Sequence, residues 1–155
     1  MGDIRKGNDA AKQPALFLVD TISSLASTDY RHDEWGVDVT VGGAQKGLML
    51  PPGMSFNAIS DKAIAAYTTS KLTKSFWVWE DMLNMNKVGF FPDTPGTQML
   101  HGMSVAIDML HDEGLDNVFA GHNRLADAPR AALRHLGLAL RCRGDDLFSP
   151  PLAPP

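Results

Sequence analysis

Residues 37–53 read VDVTVGGAQKGLMLPPG, an apolar run that ends in two glycines and leads to a single lysine, Lys46. A continuous apolar run rich in valine and threonine and closed by glycine is typical of a strand buried in a parallel sheet. The small residues around Lys46 allow the backbone to approach a flat ring closely, and the prolines at 51 and 52 restrict how the chain leaves. This stretch therefore predicts a buried strand over 37–41 that presents one amine beyond its carboxyl end.

A second apolar run, Ala15 to Val19, ends in the carboxylate of Asp20. Open α/β sheets bind their ligands beyond the carboxyl ends of their strands, and Asp20 and Lys46 both fall at such ends. A pyridoxal phosphate site requires this pair, because a lysine holds the cofactor as a Schiff base and a carboxylate keeps the pyridine nitrogen protonated. Taken alone, each residue is more commonly structural, the lysine in a solvated turn and the aspartate as a cap.

The rest of the chain predicts a third strand and three helices. Ser60 and Asp61 mark the start of the first helix, and apolar residues at helical spacing followed by Gly114 mark the second. Pro129 interrupts the last helix, which predicts either two shorter helices or one kinked helix. Residues 75–87 fit no single pattern. The predicted ranges are 54–59 for the strand, and about 61–70, 97–111 and 116–137 for the helices.

Composition excludes several classes of function. The net charge of -4 and the pI near 5.6 provide no basic stripe for nucleic acid. No apolar run approaches the roughly 20 residues that cross a membrane, and the first residues lack the apolar core of a signal peptide. The single cysteine, Cys142, excludes an internal disulfide framework. We expect a cytoplasmic α/β protein with neither nucleic acid nor membrane as a partner.

Two triplets, His32-Asp33-Glu34 and His111-Asp112-Glu113, contain the residue types that bind metals. Neighbouring residues on one element point in different directions, and neither triplet has the His-Glu-x-x-His spacing of a zinc site. We interpret both as surface polar clusters and predict no metal site.

Four segments closely resemble class V aminotransferases of the serine–glyoxylate and alanine–glyoxylate type: VDTISSL (19–25), DYRHDEW (29–35), DVTVGGAQKGLMLPPG (38–53) and FPDTP (91–95). The resemblance covers roughly residues 1–140. It implies an α/β fold that is a partial fold-type I PLP-transferase, namely the C-terminal half of the large parallel or mixed-sheet domain plus the start of the small domain. The implied boundaries are 1–114 for the large-domain part with its connecting helix and 115–140 for the start of the small domain.

The same resemblance implies roles for four residues. Lys46 is the catalytic lysine that binds pyridoxal 5'-phosphate as a Schiff base, and Asp20 is the partner of the pyridine nitrogen. Gln45 contacts the cofactor phosphate, and Thr94 reaches the phosphate from the other subunit of a homodimer. The implied substrates are a small-molecule amino acid, serine or alanine, and the 2-oxo acid glyoxylate.

The length of 155 residues leads us to expect a truncated chain. The family's upstream half, with its aromatic residue stacked on the cofactor, and its C-terminal arginine for the substrate carboxylate have no counterpart in the sequence. Four prolines in the final six residues predict a disordered tail over 141–155. Two alternatives to an active aminotransferase stay open: a catalytically inactive remnant of that enzyme, and another class V enzyme such as a cysteine desulfurase relative.

Overall fold

The computed structural model describes residues 2–140. The chain forms three strands and five helices. The helices are α1 (Gly2–Ala10), α2 (Asp61–Thr69), α3 (Trp79–Lys87), α4 (Thr97–Glu113) and α5 (Leu115–His135), and the strands are β1 (Leu18–Asp20), β2 (Val39–Gly43) and β3 (Ser55–Ile59). All three predicted strands are present, although β1 begins at Leu18 and β2 extends through both glycines.

The three strands form one mixed sheet in the order β1-β2-β3. β1 and β2 are parallel, with Leu18 opposite Val39 and Asp20 opposite Val41. β3 returns antiparallel to β2, with Ser55 opposite Gly43. The parallel pairing brings the carboxyl ends of β1 and β2 to the same edge of the sheet, which is the edge where the sequence predicts the ligand.

The hydrophobic core lies between the residues that follow β2 and the helices α4 and α5. Burying a leucine or methionine side chain stabilises a fold by about 1.5–3 kcal/mol, so this cluster fixes the segment after β2 onto the helices. Its buried members are Ala44, Leu48, Met103, Leu110 and Val118, and Leu25, Ala26, Leu50, Met54, Phe56 and Met99 pack around them.

The predicted helix ends are confirmed at two places. Ser60 precedes α2, and its side-chain Oγ accepts a hydrogen bond from the backbone N–H of Ala63 at 3.1 Å, as an N-cap should. Gly114 ends α4 with φ 81°, a conformation that glycine adopts without strain. The ambiguous region 75–87 contains the nine-residue helix α3.

Pro129 lies inside α5, which is continuous through it. The alternative of two separate helices is therefore wrong. The proline has no N–H to donate to the carbonyl of Leu125, so one helical hydrogen bond is lost. Buried residues on both sides of the proline, Val118 before it and Ala126 and Arg130 around it, hold the two parts against the body of the protein. Packing thus outweighs the local cost of the proline.

The N-terminal helix α1 had no signal in the sequence, because its residues are polar and none of them is buried. Charge contacts hold it instead. Arg5 pairs with Asp9 at 2.9 Å within the helix, and it donates a hydrogen bond to the carbonyl of Gly36 at 3.2 Å. Such contacts leave no apolar periodicity for sequence reasoning to detect.

Between residues 2 and 140, no helix is long and apolar enough to cross a bilayer. The same range holds no group of three or more His, Cys, Asp or Glu side chains arranged to bind a metal ion. The predicted tail, 141–155, lies outside the described residues. The domain boundary at Gly114 stays a prediction.

Candidate cofactor site

Lys46 lies in a closed loop that we call the lysine loop, residues 44–50. The backbone N–H of Leu50 donates to the carbonyl of Ala44 at 3.1 Å, and the N–H of Met49 donates to the carbonyl of Lys46 at 2.9 Å. Ala44 is completely buried and Leu48 is nearly so, whereas Gln45 and Lys46 are exposed. The loop is therefore anchored by its apolar residues and presents its two long polar side chains outward.

The glycines around the lysine are required by close packing within the chain. A Cβ at Gly42 would lie 2.8 Å from Leu25 Cδ2, and one at Gly43 would lie 3.2 Å from Ile22 Cγ2. A Cβ at Gly47 would collide with the backbone carbonyl of Leu25. These glycines make room for the turn that follows Asp20, and the prediction that they make room for a flat ring is not needed to explain them.

Asp20 ends β1, and its carboxylate is held by the turn that follows. The side-chain Oδ1 accepts a hydrogen bond from the backbone N–H of Ile22 at 2.8 Å. Thr21, which is buried, ties the same turn to β2, because its backbone N–H and its hydroxyl donate to the carbonyl of Val41 at 2.8 and 3.0 Å. Within residues 2–140 the second carboxylate oxygen has no hydrogen-bond partner, so it is available to a ligand.

Lys46 is equally available, since Nζ has no hydrogen-bond or ion-pair partner in the described part of the chain. The residue lines an open groove of about 310 Å3 between the lysine loop and the helices α4 and α5. Asp20 is not among the residues that line this groove. Three further polar residues line the groove, Glu113, His122 and Arg124, and the sequence analysis assigned none of them to a cofactor site.

Gln45 lies next to the lysine at the end of β2. Its Oε1 is 2.8 Å from where a Cβ of Gly43 would stand, so the amide folds back over the end of the strand. Thr94 is exposed in the segment between α3 and α4. Among the described residues it makes no hydrogen bond with Asp20, Gln45 or Lys46, and it does not line the groove that Lys46 lines. The structure thus groups three of the four predicted residues at one edge and leaves Thr94 apart.

The opposite end of the same strands carries a carboxylate that the sequence analysis did not single out. Asp38 is buried, and its oxygens accept from the backbone N–H of Phe17 at 2.8 Å, the hydroxyl of Ser60 at 3.1 Å and Nζ of Lys62 at 3.1 Å. Burial raises the pKa of Asp38, but these three hydrogen bonds together outweigh it, so the pKa lies below its ordinary value. The sequence offered one signal for this role, because Asp38 interrupts the apolar run between Val37 and Val39.

His32 also has a structural explanation. Its Nδ1 lies 2.6 Å from the hydroxyl of Thr40, which also bonds the hydroxyl of Tyr30. Thr40 is buried in β2, so the contact fixes the segment after Asp29 onto the sheet. The first of the two polar triplets therefore contributes its histidine to packing.

An amine and an oriented carboxylate at the carboxyl ends of two neighbouring parallel strands lie where open α/β sheets bind their ligands. The sequence matches Aminotransferase class-V over residues 3–144. The chain belongs to the class V aminotransferase family, as its resemblance implied.

Named relatives agree with this assignment. The chain is 50% identical over 148 residues to serine–glyoxylate aminotransferase of Hyphomicrobium methylovorum, covering 94% of this chain and 36% of the relative. It is 42% identical over 146 residues to L-aspartate–glyoxylate aminotransferase of Paracoccus denitrificans, covering 94% and 37%. The solved structure of alanine–glyoxylate aminotransferase from Nostoc sp. is similar with a TM-score of 0.75 and 26% identity, covering 90% of this chain and 37% of that one.

The chain spans about a third of the length of the curated relatives it matches. Its mixed sheet and helices correspond to part of the fold of these aminotransferases, which confirms the predicted partial fold-type I architecture. Family membership implies pyridoxal 5'-phosphate as the cofactor.

The residues present fit that cofactor. The free amine of Lys46 can hold its aldehyde, the unpaired oxygen of Asp20 can accept from its pyridine nitrogen, and the amide of Gln45 can donate to its phosphate. All three side chains are exposed at the carboxyl edge of the sheet.

Proposed function

We propose that this chain forms the lysine-bearing part of an aminotransferase that moves an amino group from serine or alanine to glyoxylate, with pyridoxal 5'-phosphate held at Lys46. One observation carries the proposal. β1 and β2 are parallel neighbours, and their carboxyl ends lead to the Asp20 carboxylate and the Lys46 amine, respectively. This is the pair of groups that the cofactor's chemistry requires.

The cofactor supplies an electron sink for the bonds around the amino acid's α-carbon. Lys46 would hold it covalently through Nζ until an amino donor takes its place, and the released amine would then accept and return a proton. Asp20 would hold the proton on the pyridine nitrogen. Its Oδ1 is fixed by the N–H of Ile22, which keeps the other oxygen pointing along a defined direction.

The names of the relatives bear on the substrates. The three relatives described above are named for different amino donors, serine, L-aspartate and alanine, whereas all three names include glyoxylate. This supports glyoxylate as the amino acceptor more strongly than it supports any one donor. We infer serine or alanine as the donor, and an assay with serine, alanine and L-aspartate against glyoxylate ranks the three.

We infer a homodimer in which Thr94 reaches the cofactor of the second subunit. Thr94 is exposed and separate from the other site residues of its own chain. Three large apolar side chains that precede it in the chain are also exposed, as the core of an interface requires: Val88, Phe90 and Phe91. Sedimentation analysis should give a dimer, and a monomer at every concentration tested would contradict the inference.

Spectroscopy of the purified chain with added pyridoxal 5'-phosphate tests the proposed function directly. We expect a visible absorption band that borohydride removes, with the reduced cofactor attached to Lys46 in the peptide map. The Lys46→Ala variant should show neither band nor attachment, and Lys46→Arg, which keeps the charge but lacks a nucleophilic amine, should behave in the same way. A band retained in either variant would overturn the assignment of Lys46, and no band in the wild type would favour an inactive remnant.

A further inference from the structure

The lysine loop contains a residue in a conformation that its side chain does not favour. Met49 has φ 59°, the left-handed region in which residues other than glycine are strained. Such a conformation persists only where the surrounding structure enforces it. Met49 is also half-exposed, so packing of its side chain does not explain why the chain accepts the strain.

The hydrogen bonds of the loop show what this conformation accomplishes. The N–H of Met49 donates to the carbonyl of Lys46, and the N–H of the next residue, Leu50, donates to the carbonyl of Ala44. The bond from Met49 closes a turn through Gly47 and Leu48. The left-handed conformation of Met49 then turns the chain so that the N–H of Leu50 reaches the carbonyl of Ala44. The loop around Lys46 is thereby closed by a hydrogen bond that depends on the conformation at position 49.

A second contact joins the lysine loop to the turn that follows β1. Gly47 lies against the backbone of Leu25 and Ala26, and Ala26 itself has φ 61°. The turn that follows Asp20 and the loop that carries Lys46 therefore meet backbone to backbone, and each contains one left-handed residue. This contact leaves little freedom for Lys46 to move relative to Asp20.

We propose that Met49 is a positioning residue for Lys46, acting through its backbone conformation and not through its side chain. The inference rests on the proposed function, because it concerns the lysine that holds the cofactor. It goes beyond that function by naming what fixes the lysine's backbone. No interaction between the Met49 side chain and the cofactor is required.

Three substitutions at position 49 separate the backbone role from a packing role. Glycine and asparagine accept the left-handed conformation but remove the apolar side chain, whereas valine keeps apolar surface but resists the conformation because it is β-branched. A backbone role predicts that Met49→Gly and Met49→Asn resemble the wild type and that Met49→Val is impaired. A packing role predicts the reverse order.

The experiment exposes the full 155-residue chain briefly to pyridoxal 5'-phosphate, reduces it with borohydride, and measures by peptide mass spectrometry how fast each lysine is modified. Cofactor attachment at Lys46 should be about tenfold slower in the Met49→Val variant than in the Met49→Gly variant. About 1.4 kcal/mol of backbone strain corresponds to this factor of ten. The other lysines serve as internal references. Lys12→Val is the matched control, because Lys12 also has positive φ, at 49°, just after α1.

Lys12→Val should leave modification of Lys46 unchanged. Equal rates for Met49→Val and Met49→Gly would overturn the inference, and so would a slower rate for Met49→Gly than for Met49→Val. If the wild type shows no preference for Lys46, the proposed function fails, and a cofactor-free readout decides the inference. Hydrogen exchange at the N–H of Leu50 should then be faster in Met49→Val than in Met49→Gly, and equal exchange would overturn it.

Discussion

The two ends of the β1–β2 pair use their charged residues in opposite ways. At the amino end, the carboxylate of Asp38 is buried and accepts from a backbone N–H, a hydroxyl and an ammonium group. At the carboxyl end, Asp20 and Lys46 are exposed, and between them they make one hydrogen bond within residues 2–140, from the N–H of Ile22. A charged group whose hydrogen bonds are all made within the protein stabilises the fold. A charged group that keeps an unused hydrogen-bonding position can bind a ligand.

The largest expected effect lies at the carboxyl end. Asp20→Asn keeps an oxygen to accept from Ile22 but loses the negative charge, so the turn should survive while the pyridine nitrogen loses its partner. We expect amino transfer from serine to fall about 100-fold or more, the range of a positioned proton-holding group, with covalent attachment at Lys46 retained. Stopped-flow absorbance measures both steps. If attachment and transfer fell equally, Asp20 would be a structural residue like Asp38.

The next effect belongs to the amino end and concerns stability. Asp38→Ala leaves the N–H of Phe17 without its acceptor, and it removes the ion pair of Lys62, whose Nζ keeps the carbonyl of Ala15. We expect the free energy of unfolding to fall by about 2–3 kcal/mol, because Lys62 is partly exposed and regains water. Urea denaturation of Asp38→Ala beside Asp20→Ala measures the contrast. Asp20→Ala should cost only about 1 kcal/mol, the value of one lost cap; equal losses would erase the distinction between the two ends.

The smallest expected effect is a pH dependence of stability that comes from the amino end. The pKa of Asp38 is lower in the folded chain than in the unfolded chain, so its ionised form favours folding. This contribution is complete above the unfolded pKa of about 4 and is lost as the pH falls through the folded pKa. Thermal unfolding between neutral and acidic pH should show a steeper loss in the wild type than in Asp38→Asn. Parallel curves would mean that the hydrogen bonds of Asp38 do not favour the charged form.

The sequence alone located the residues at the carboxyl end of the β1–β2 pair, because strand ends and turn residues leave local signals. The apolar runs before Asp20 and Lys46 placed both residues at strand ends, and the observed parallel register agrees. The family resemblance then added Gln45 and Thr94, which no local pattern could have selected. Their roles, like those of Asp20 and Lys46, and the cytoplasmic location stay predictions.

The features that the sequence did not reveal depend on contacts between distant residues. Asp38 meets Lys62 only because β3 reverses the chain and brings the start of α2 to the amino end of β2. The reason for Gly47 is likewise a backbone contact with Leu25, which no window around the lysine contains. α5 continues through Pro129 because tertiary packing compensates for a local penalty.

The strand order also has a consequence for how the site assembles during folding. β2 and β3 are adjacent antiparallel strands joined through the lysine loop, so their pairing closes a short stretch of chain. β1 pairs in parallel with β2 across a longer stretch, and closing longer loops costs more entropy and slows folding. The β2–β3 pair should therefore form before β1 docks, so the strand ends that lead to Asp20 and Lys46 come together only in the later step.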